Sequence, residues 1–548
     1  MVAEPARASP LRDFAGGISL AGLLIPEAVA YSSIAGLPPA FGITGAVVGP
    51  LAYAILGRSR LAVVSATSGA AALLAAGIAN AAIPNASRVD CAIALTVLVG
   101  LFFTIGAALR ITSLTSFISR AVLHGFGFGL AITISVRQLP ALLGLSSTGG
   151  TLLQTLGSLV SRAAEIHVPS LFAGLAALIL LALARRFKFP PAGLLLVLIS
   201  ILAMRFGPAD HLGILSAGAI AFQPTLPHLP AIAPGDWLRL ARFAFPIAIV
   251  LLAESWATVR TLAAARGDPI SAEREIAALG LANLASGLLR GLPVGAGFSI
   301  GNASAQAGTT SKLGAIFAAI TVALAALTIP GWVALLPQPV LAAIVISALT
   351  HALSPKPILS LFKLDRDQWV ALAAAAGVLF LGIIDGLLFA VALSLISLFR
   401  RLAYPSLSIL GQSGGHDFVD CSTHADAKPI PGMLIVRPDG PMFFGNADGI
   451  LAEAGRRARA AGAATVVLSL EETDDLDSST LASISDFNEA MRAQGRSVVL
   501  ARVHDRARTV LERGGLADLA ANSTFSVDDA VRKVAERTEG KGQVRSTG

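Results

Sequence analysis

Two glutamates stand inside long apolar runs of this 548-residue sequence. Glu254 follows the apolar run 243–253, and Glu27 lies within IPEAVAYSSIAG at 25–36. A charged group inside an apolar segment of membrane length is energetically costly and typically marks an ion pathway. We therefore predict that Glu254 takes up a proton or helps to hold Na⁺. The alternative is a structural carboxylate that bonds a neighbouring helix.

Helical spacing places a hydroxyl near each glutamate. Thr258 follows Glu254 by four residues, and Tyr31 follows Glu27 by four, so each pair shares one helix face. Thr258 is predicted to share a Na⁺ site with Glu254. Glu27 and Tyr31 are predicted to line a ligand site, and Glu27 could instead carry a second proton. A gate or packing role for Glu27 is the alternative.

The composition places most of the chain in a membrane. Hydrophobic residues make up 54% and charged residues 14%, with a mean hydropathy of +0.73, whereas soluble domains carry about 25% charged residues. The net charge of +7 does not indicate nucleic-acid binding, because the basic residues mostly lie in short loops between apolar runs. Cys91 and Cys421 are too few for a disulfide framework or a structural metal site. We expect no cofactor.

Apolar segments that approach the length of a bilayer recur up to Phe399, and we count about fourteen. Basic residues concentrate in alternate loops, which predicts a cell-membrane protein with both termini in the cytoplasm. The predicted spans are 14–33, 41–57, 62–80, 90–109, 119–136, 168–184, 190–205, 243–260, 275–290, 294–310, 313–330, 335–352, 368–383 and 385–399.

The membrane region has two halves that resemble each other. Glu-x-x-Ala occurs in the first span, at Glu27, and in the eighth, at Glu254. Two spans later each half carries a segment rich in small residues, VVSATSGAAA at 63–72 and VGAGFSIGNASAQAG at 294–308. Matching unusual segments indicate a transporter with inverted repeats, whose ligand lies at the midplane between broken helices. Chance similarity between helices rich in small residues is the alternative.

The character of the sequence changes after Arg401. We predict a membrane domain at 1–403, a polar Gly/Pro-rich linker at 404–430 and a small α/β domain at 431–548. Strand-like and helix-like stretches alternate in the last of these, which is typical of α/β domains. The strands are predicted at 433–447, 464–472 and 497–503, and the helices at 448–462, 479–495 and 505–516.

Several long motifs resemble the SulP (sulfate permease-like) family of anion transporters, from about residue 11 to about residue 535. The first span carries IPEAVAYSSIAGLPPAFGI (25–43), and the fifth carries FISRAVLHGFGFGLAITISVRQLPALLGL (117–145). Further matches lie at 275–299 and 336–349. The C-terminal region resembles the STAS domain that commonly ends these proteins, chiefly at 431–448 and 474–484.

The resemblance implies a polytopic α-helical membrane protein of seven plus seven inverted spans, divided into core and gate domains, with a cytosolic STAS domain and a homodimeric state. The third and tenth spans would be half-helices whose N-termini face each other and hold the anion. Free N–H groups and the helix dipole attract an anion there, although the small residues could instead serve close helix packing. The anion-binding residues expected are Glu27, Tyr31, Ser65, Ala66, Thr67, Ala296, Gly297, Phe298 and Ser299.

The predicted function is secondary active transport of a small inorganic anion, sulfate or bicarbonate, coupled to H⁺ or Na⁺. The alternatives are an uncoupled anion channel, an anion exchanger, a C4-dicarboxylate symporter of the same family, or a nucleobase permease of the same fold. Animal members often have arginine after the serine that Ser299 matches, whereas this chain has Ile300. The missing charge favours cation coupling through Glu254.

The sequence carries no enzyme motif of the common kinds and one candidate regulatory serine. The sequence lacks HExxH, P-loop and Gly-x-Ser-x-Gly motifs, so an enzyme is not expected. In the STAS-like region, Ser479 best matches the serine that is phosphorylated in soluble STAS relatives. The alternative is that Ser478 and Ser479 are only the N-cap and the first residue of a helix.

Overall fold

The computed structural model describes residues 9–84, 86–110, 119–146, 151–187, 192–207, 212–218, 222, 226–364, 367–404 and 406–546. The chain forms two compact units, Met1–Ser394 and Leu395–Gly548. The boundary falls inside a helix near the end of the predicted membrane domain.

In the described residues of the first unit, the regular structure is helical apart from two three-residue strands. Prolines at the first turn start several of its helices, as at Pro10, Pro39 and Pro234, while the side chains of Ser87 and Ser119 cap two others. The elements are α1 Pro10–Ala35, α2 Pro39–Leu56, β1 Val64–Ala66, α3 Ser68–Ala81, α4 Arg88–Ala108, α5 Arg120–Leu142, α6 Leu152–Ser161, α7 Val168–Arg186, α8 Ala192–Phe206, α9 Pro234–Arg266, α10 Ala272–Leu288, β2 Val294–Ala296, α11 Phe298–Gln306, α12 Leu313–Thr328, α13 Pro330–Ala334, α14 Gln338–Ala348, α15 Lys356–Leu364, α16 Gln368–Leu381 and α17 Ile383–Ala403.

Many of these helices are long and apolar enough to cross a membrane. Seven of the described helices meet both criteria, namely Pro10–Ala35, Pro39–Leu56, Arg88–Ala108, Arg120–Leu142, Val168–Arg186, Pro234–Ala264 and Ile383–Ala403. Six further apolar helices of the described chain are shorter, two of them α3 and α12. The architecture is thus that of a polytopic α-helical membrane protein, and the count of about fourteen spans stays a prediction.

Helix packing in the first unit follows the predicted repeat. Under the pairing of α1 with α9, α2 with α10, α3 with α11 and α4 with α12, contacts in one half have a counterpart in the other. Helix α1 packs on α12 and α9 packs on α4, and α1 packs on α3 as α9 packs on α11. Strands β1 and β2 pair antiparallel about Ser65 and Gly295, which places a local two-fold axis between the halves.

The third and tenth predicted spans are not continuous helices. Each begins as a short strand and becomes a helix only at Ser68 or Phe298. Backbone outside a helix is tolerated inside a membrane domain only where protein buries it or where it lines a cavity. The β1–β2 pairing supplies that burial, which agrees with the predicted broken helices.

The second unit has the α/β fold expected of a STAS domain. Its five-stranded sheet has the order β4-β3-β5-β6-β7, in which β5, β6 and β7 are parallel. Two crossover helices, α18 and α19, pack on each other beside the sheet. The elements are β3 Leu407–Ser413, β4 Asp417–Asp420, β5 Met433–Pro438, α18 Ala447–Ala460, β6 Thr465–Ser469, α19 Ser478–Ala493, β7 Ser497–Ala501, α20 Asp505–Arg513, α21 Ala517–Asn522 and α22 Val527–Ser546.

The segment predicted as a linker, 404–430, is folded in the structure. It contains β3 and β4, and β3 pairs antiparallel with β5. Its Gly, Ser and Asp content resembles that of a linker, but Leu407 and Leu410 are buried. The strand state of β3 therefore depends on its sheet neighbours, which local composition does not reveal.

Candidate functional site

The candidate site is built where the two half-helices begin. Thr67 precedes α3 and caps it, since its hydroxyl oxygen accepts a hydrogen bond from the Ala70 N–H at 3.2 Å. Gly297 occupies the equivalent position before α11. A Cβ atom at Gly297 would lie 3.6 Å from the Thr67 methyl carbon. The two N-termini are therefore adjacent, and their free N–H groups and dipoles favour an anion between them.

Polar side chains from α9 and α10 hold strand β2 in place. The Ser255 hydroxyl oxygen accepts a hydrogen bond from the Ala296 N–H at 3.0 Å. The Asn283 amide both donates to the Val294 carbonyl, at 2.8 Å, and accepts from the Val294 N–H, at 2.9 Å. These groups are buried, so each bond satisfies backbone that would otherwise be costly to enclose.

Glu254 lies against the first turn of α3. Its carboxylate oxygens would lie 3.3 and 3.5 Å from a Cβ atom at Gly69, and the Leu130 side chain of α5 packs against the same point, at 3.4 Å. No side chain or backbone group in the described residues donates a hydrogen bond to this half-buried carboxylate. A longer residue at Gly69 would displace it, so the glycine leaves the space that Glu254 occupies.

Thr258 faces the other half-helix. Its methyl carbon would lie 3.6 Å from a Cβ atom at Gly301 of α11, and the side chain is 4% exposed. One face of α9 thus touches both half-helices, through Glu254 on the α3 side and Thr258 on the α11 side. Any change in the charge of Glu254 acts directly on the element that would hold the anion.

Glu27 lies in a narrow recess beside strand β1. The recess is lined by Leu24, Glu27, Ala28, Ala46, Ser65 and Ala66. Glu27 is 4% exposed, and its Oε1 atom is buried without a hydrogen-bond partner in the described chain. The phenol of Tyr31 lies within electrostatic range of both Glu27 and Glu254. The two glutamates and the tyrosine therefore belong to one cluster around the half-helices.

The predicted anion-binding residues divide into two groups by exposure. Ser65, Ala66 and Ala296 are buried in the strand pair, where they shape the backbone. Phe298 and Ser299 are exposed, while Thr67 and Gly297 are half-buried. The accessible part of the candidate site is therefore the pair of helix starts. Two neighbours of the site were not predicted from the sequence, namely Ser255, which bonds the Ala296 N–H, and His351, whose ring stacks on Phe298. The available signal was a lone polar residue in an apolar run.

Replacing Asn283 with alanine is expected to loosen β2 and to disable the site. The change leaves the buried N–H and carbonyl of Val294 without partners, a penalty of about 1–3 kcal/mol for each group. We expect a lowered melting temperature in detergent and at least about a tenfold rise in KM for anion uptake, since the starts of α3 and α11 lose their register. Asn522→Ala, which removes a half-buried asparagine of the second unit, is the control. Wild-type KM in Asn283→Ala would contradict the assignment.

The structure revises the helix start near Ser479. The N-cap of α19 is Asp477 rather than Ser478, because its Oδ1 accepts from the Thr480 N–H and its Oδ2 accepts from the Phe444 N–H, both at 2.8 Å. The two carboxylate oxygens of Asp477 each accept one backbone hydrogen bond. A serine has a single hydroxyl oxygen and could not hold both groups in this way. Ser479 is the second helical residue and is exposed, and its phosphorylation stays a prediction.

Asp477→Ala is expected to destabilise the second unit by about 1 kcal/mol through loss of the cap. Partial burial alone would raise the pKa of Asp477, but the hydrogen bonds from Thr480 and Phe444 outweigh it and hold that pKa below its usual value. The cap's contribution is therefore present at neutral pH and is lost as pH falls below about 4. Denaturation of the purified chain at pH 7 and pH 3 checks this. An equal loss at both pH values would contradict it.

Comparison with known proteins identifies the family of the chain. The model of the sulfate permease family matches residues 11–375, and that of the STAS domain matches residues 424–530. The chain belongs to the sulfate permease family. A protein named probable sulfate transporter from Mycobacterium tuberculosis is 30% identical over 521 residues, which cover 92% of this chain and 91% of that protein. High affinity sulfate transporter 1 of Stylosanthes hamata is 29% identical over 80% of this chain and 68% of its own length.

Solved structures show the same fold as this sulfate permease family member. Murine solute carrier 26 family member A9, an anion transporter in the inward-facing state, has a TM-score of 0.86 at 20% identity, covering 96% of this chain and 91% of its own. The transmembrane domain of the cyanobacterial bicarbonate transporter BicA has a TM-score of 0.60 at 20% identity, covering 70% and 97%. The protein is a multi-pass membrane anion transporter and not an enzyme.

Proposed function

We propose that the protein accumulates sulfate by coupling its entry to protons, with the anion held between the starts of α3 and α11. The observation that carries the proposal is the position of Glu254, whose carboxylate lies against Gly69 in the first turn of α3. An anion between the helix starts and a negative charge on Glu254 repel each other. A proton on Glu254 removes that repulsion, so anion and proton bind together.

The surroundings of Glu254 favour a proton over Na⁺. Its carboxylate borders the Gly69 position, where the Leu130 side chain also packs, and neither residue offers a side-chain oxygen. The phenol of Tyr31 lies within electrostatic range of Glu254, but one phenol oxygen does not make a coordination shell. Thr258 lies on the same face of α9 but packs against Gly301. A bare cation needs several converging oxygen ligands in place of its hydration shell, whereas one proton neutralises a carboxylate that accepts no hydrogen bond from the described residues.

Sulfate is the favoured anion because the chain's relatives are named for it. The Mycobacterium tuberculosis and Stylosanthes hamata relatives are both called sulfate transporters. Bicarbonate is the second candidate, supported by the fold shared with BicA. Backbone N–H groups at helix starts bind either oxyanion, so the site's geometry alone discriminates weakly between them.

The decisive experiment is uptake of labelled anions into proteoliposomes under imposed gradients. We expect an inward proton gradient to drive sulfate above its equilibrium level, and a protonophore to abolish that accumulation. Bicarbonate, chloride, nitrate and a C4-dicarboxylate serve as competitors. If a Na⁺ gradient drives accumulation instead, Na⁺ rather than H⁺ is the coupling ion. If neither sulfate nor any of these four anions accumulates when it is supplied in labelled form, the proposal is overturned.

We also propose a homodimer in the cell membrane with both termini in the cytoplasm. Arginines in the last turns of α7, α9 and α17 support this orientation, because basic residues are retained on the cytoplasmic side. Epitope tags at either end should be protected in intact cells and accessible after permeabilisation. Light scattering of the detergent-solubilised chain should give twice the monomer mass.

A further inference from the structure

An aromatic stack crosses the accessible side of the candidate site. Phe298, the first residue of α11, stacks on His351, which lies just after α14, with 5.4 Å between ring centroids and 27° between ring planes. Phe298 is 40% exposed, although its neighbour Ala296 is buried. The stack therefore lies at the accessible surface of the site. It links the start of α11 to the C-terminal end of α14, a helix that does not belong to the half-helix pair.

One face of α5 lines the same space. Arg120, His124 and Gly127 follow one another at helical spacing, so they share this face. A Cβ atom at Gly127 would meet no heavy atom within 4 Å, and the side chains of Arg120 and His124 are exposed. His124 lies within electrostatic range of both Arg120 and His351. We call the exposed region bounded by Phe298, His351, Arg120 and His124 the cleft. All but Phe298 carry side-chain hydrogen-bond donors.

Beside strand β1 the candidate site is closed by comparison. There the site borders the narrow recess around Glu27, whose walls are Leu24, Ala28 and Ala46 with strand β1. Ser65 and Ala66 are buried on that side. An anion approaching the exposed Ser299 would therefore pass through the cleft beside Phe298 rather than through the recess.

We propose that this cleft is the anion's route to the half-helix site, with the Phe298–His351 stack as its gate. His351, His124 and Arg120 form a receiving site for oxyanions within the cleft. The proposal rests on anion transport through the half-helix site. A guanidinium is always charged, and an imidazole keeps one N–H donor even when neutral, so the three groups can bind an oxyanion. When the stack opens, the anion passes from these donors to the N–H groups of α11.

Two substitutions of His351 separate the gate from the receiving site. His351→Phe keeps an aromatic ring for the stack but removes the N–H donor, and His351→Ala removes both. In proteoliposomes we expect His351→Phe to raise KM for sulfate at least about threefold with Vmax little changed, as for loss of a binding contact alone. His351→Ala should show the same rise in KM and, in addition, sulfate leakage without a gradient. His416→Phe, in the second unit, is the matched control.

Accessibility of the cleft supplies a readout that does not depend on transport. In a Cys91→Ala, Cys421→Ser background, His351→Cys should react with a membrane-impermeant thiol reagent from one side of the membrane, and sulfate should slow the reaction. Ser422→Cys, at an exposed position of the second unit, should react with the reagent but show no such protection. If wild type transports sulfate while both His351 variants keep wild-type KM and leakage, the gate is wrong. If wild type transports no anion, the proposed function fails instead.

Discussion

Replacing Glu254 with glutamine is expected to abolish proton-driven accumulation of sulfate while leaving sulfate–sulfate exchange in place. Glutamine has nearly the same shape as glutamate, so it fills the space beside Gly69 and Leu130 but cannot titrate. The variant resembles the protonated state and can carry the anion in both directions. Because one pH unit is worth 1.36 kcal/mol per proton, entry of one proton with each sulfate should concentrate sulfate about tenfold in wild type under a gradient of one unit, when the membrane potential is clamped at zero. Glu254→Gln should show no accumulation under the same conditions.

The measurement is labelled sulfate uptake with the pH gradient imposed and then collapsed. Glu165→Gln is the control, since Glu165 is an exposed carboxylate paired with Arg162 outside the site. Accumulation in Glu254→Gln equal to that in wild type would show that this carboxylate is only structural. Loss of both accumulation and exchange, with a normal melting temperature, would show that the charge itself is needed for anion passage.

Gly42→Ala is expected to have the largest effect on folding. A Cβ atom at Gly42 would lie 1.8 Å from the Ala28 carbonyl oxygen and 2.5 Å from the Ser32 hydroxyl oxygen. Ser32 accepts a hydrogen bond from the Gly42 N–H at 2.7 Å and donates one to the Ala28 carbonyl at 2.9 Å. Helices α1 and α2 cannot keep this crossing once a methyl group is added, and Ala28 follows Glu27 directly.

Overpacking of a core normally costs about 1–3 kcal/mol, and here the clash is with backbone, which cannot rotate away. We expect the melting temperature in detergent to fall by at least about 5 °C, with loss of uptake in the residual folded protein. Gly127→Ala, at a position with open space, should melt within about 2 °C of wild type. Equal melting of the two variants would contradict the close crossing of α1 and α2.

The fold class and the half-helix segments of this protein could be predicted from its sequence. An apolar content of 54% with few charges fixes a membrane domain, because unpaired charges are excluded from a bilayer. The alternation of strands and helices after residue 431 predicts an α/β domain, and β5, β6, β7, α18 and α19 confirm it. The half-helix segments were found because Gly, Ser and Ala cluster in two apolar runs at matching positions.

Only the tertiary structure decided what surrounds each group. Local composition made 404–430 a linker, yet pairing with β5 makes β3 a strand. Ser478 was one candidate for the N-cap of α19, but Asp477 takes that role, and the Phe444 N–H from a distant loop helps to hold it there. Glu254 stands 185 positions from Gly69 along the chain, and no periodicity reports their contact. A sequence pattern shows which polar residues lie in apolar surroundings and are therefore costly to bury. Which residues they contact depends on packing between segments that are distant along the chain.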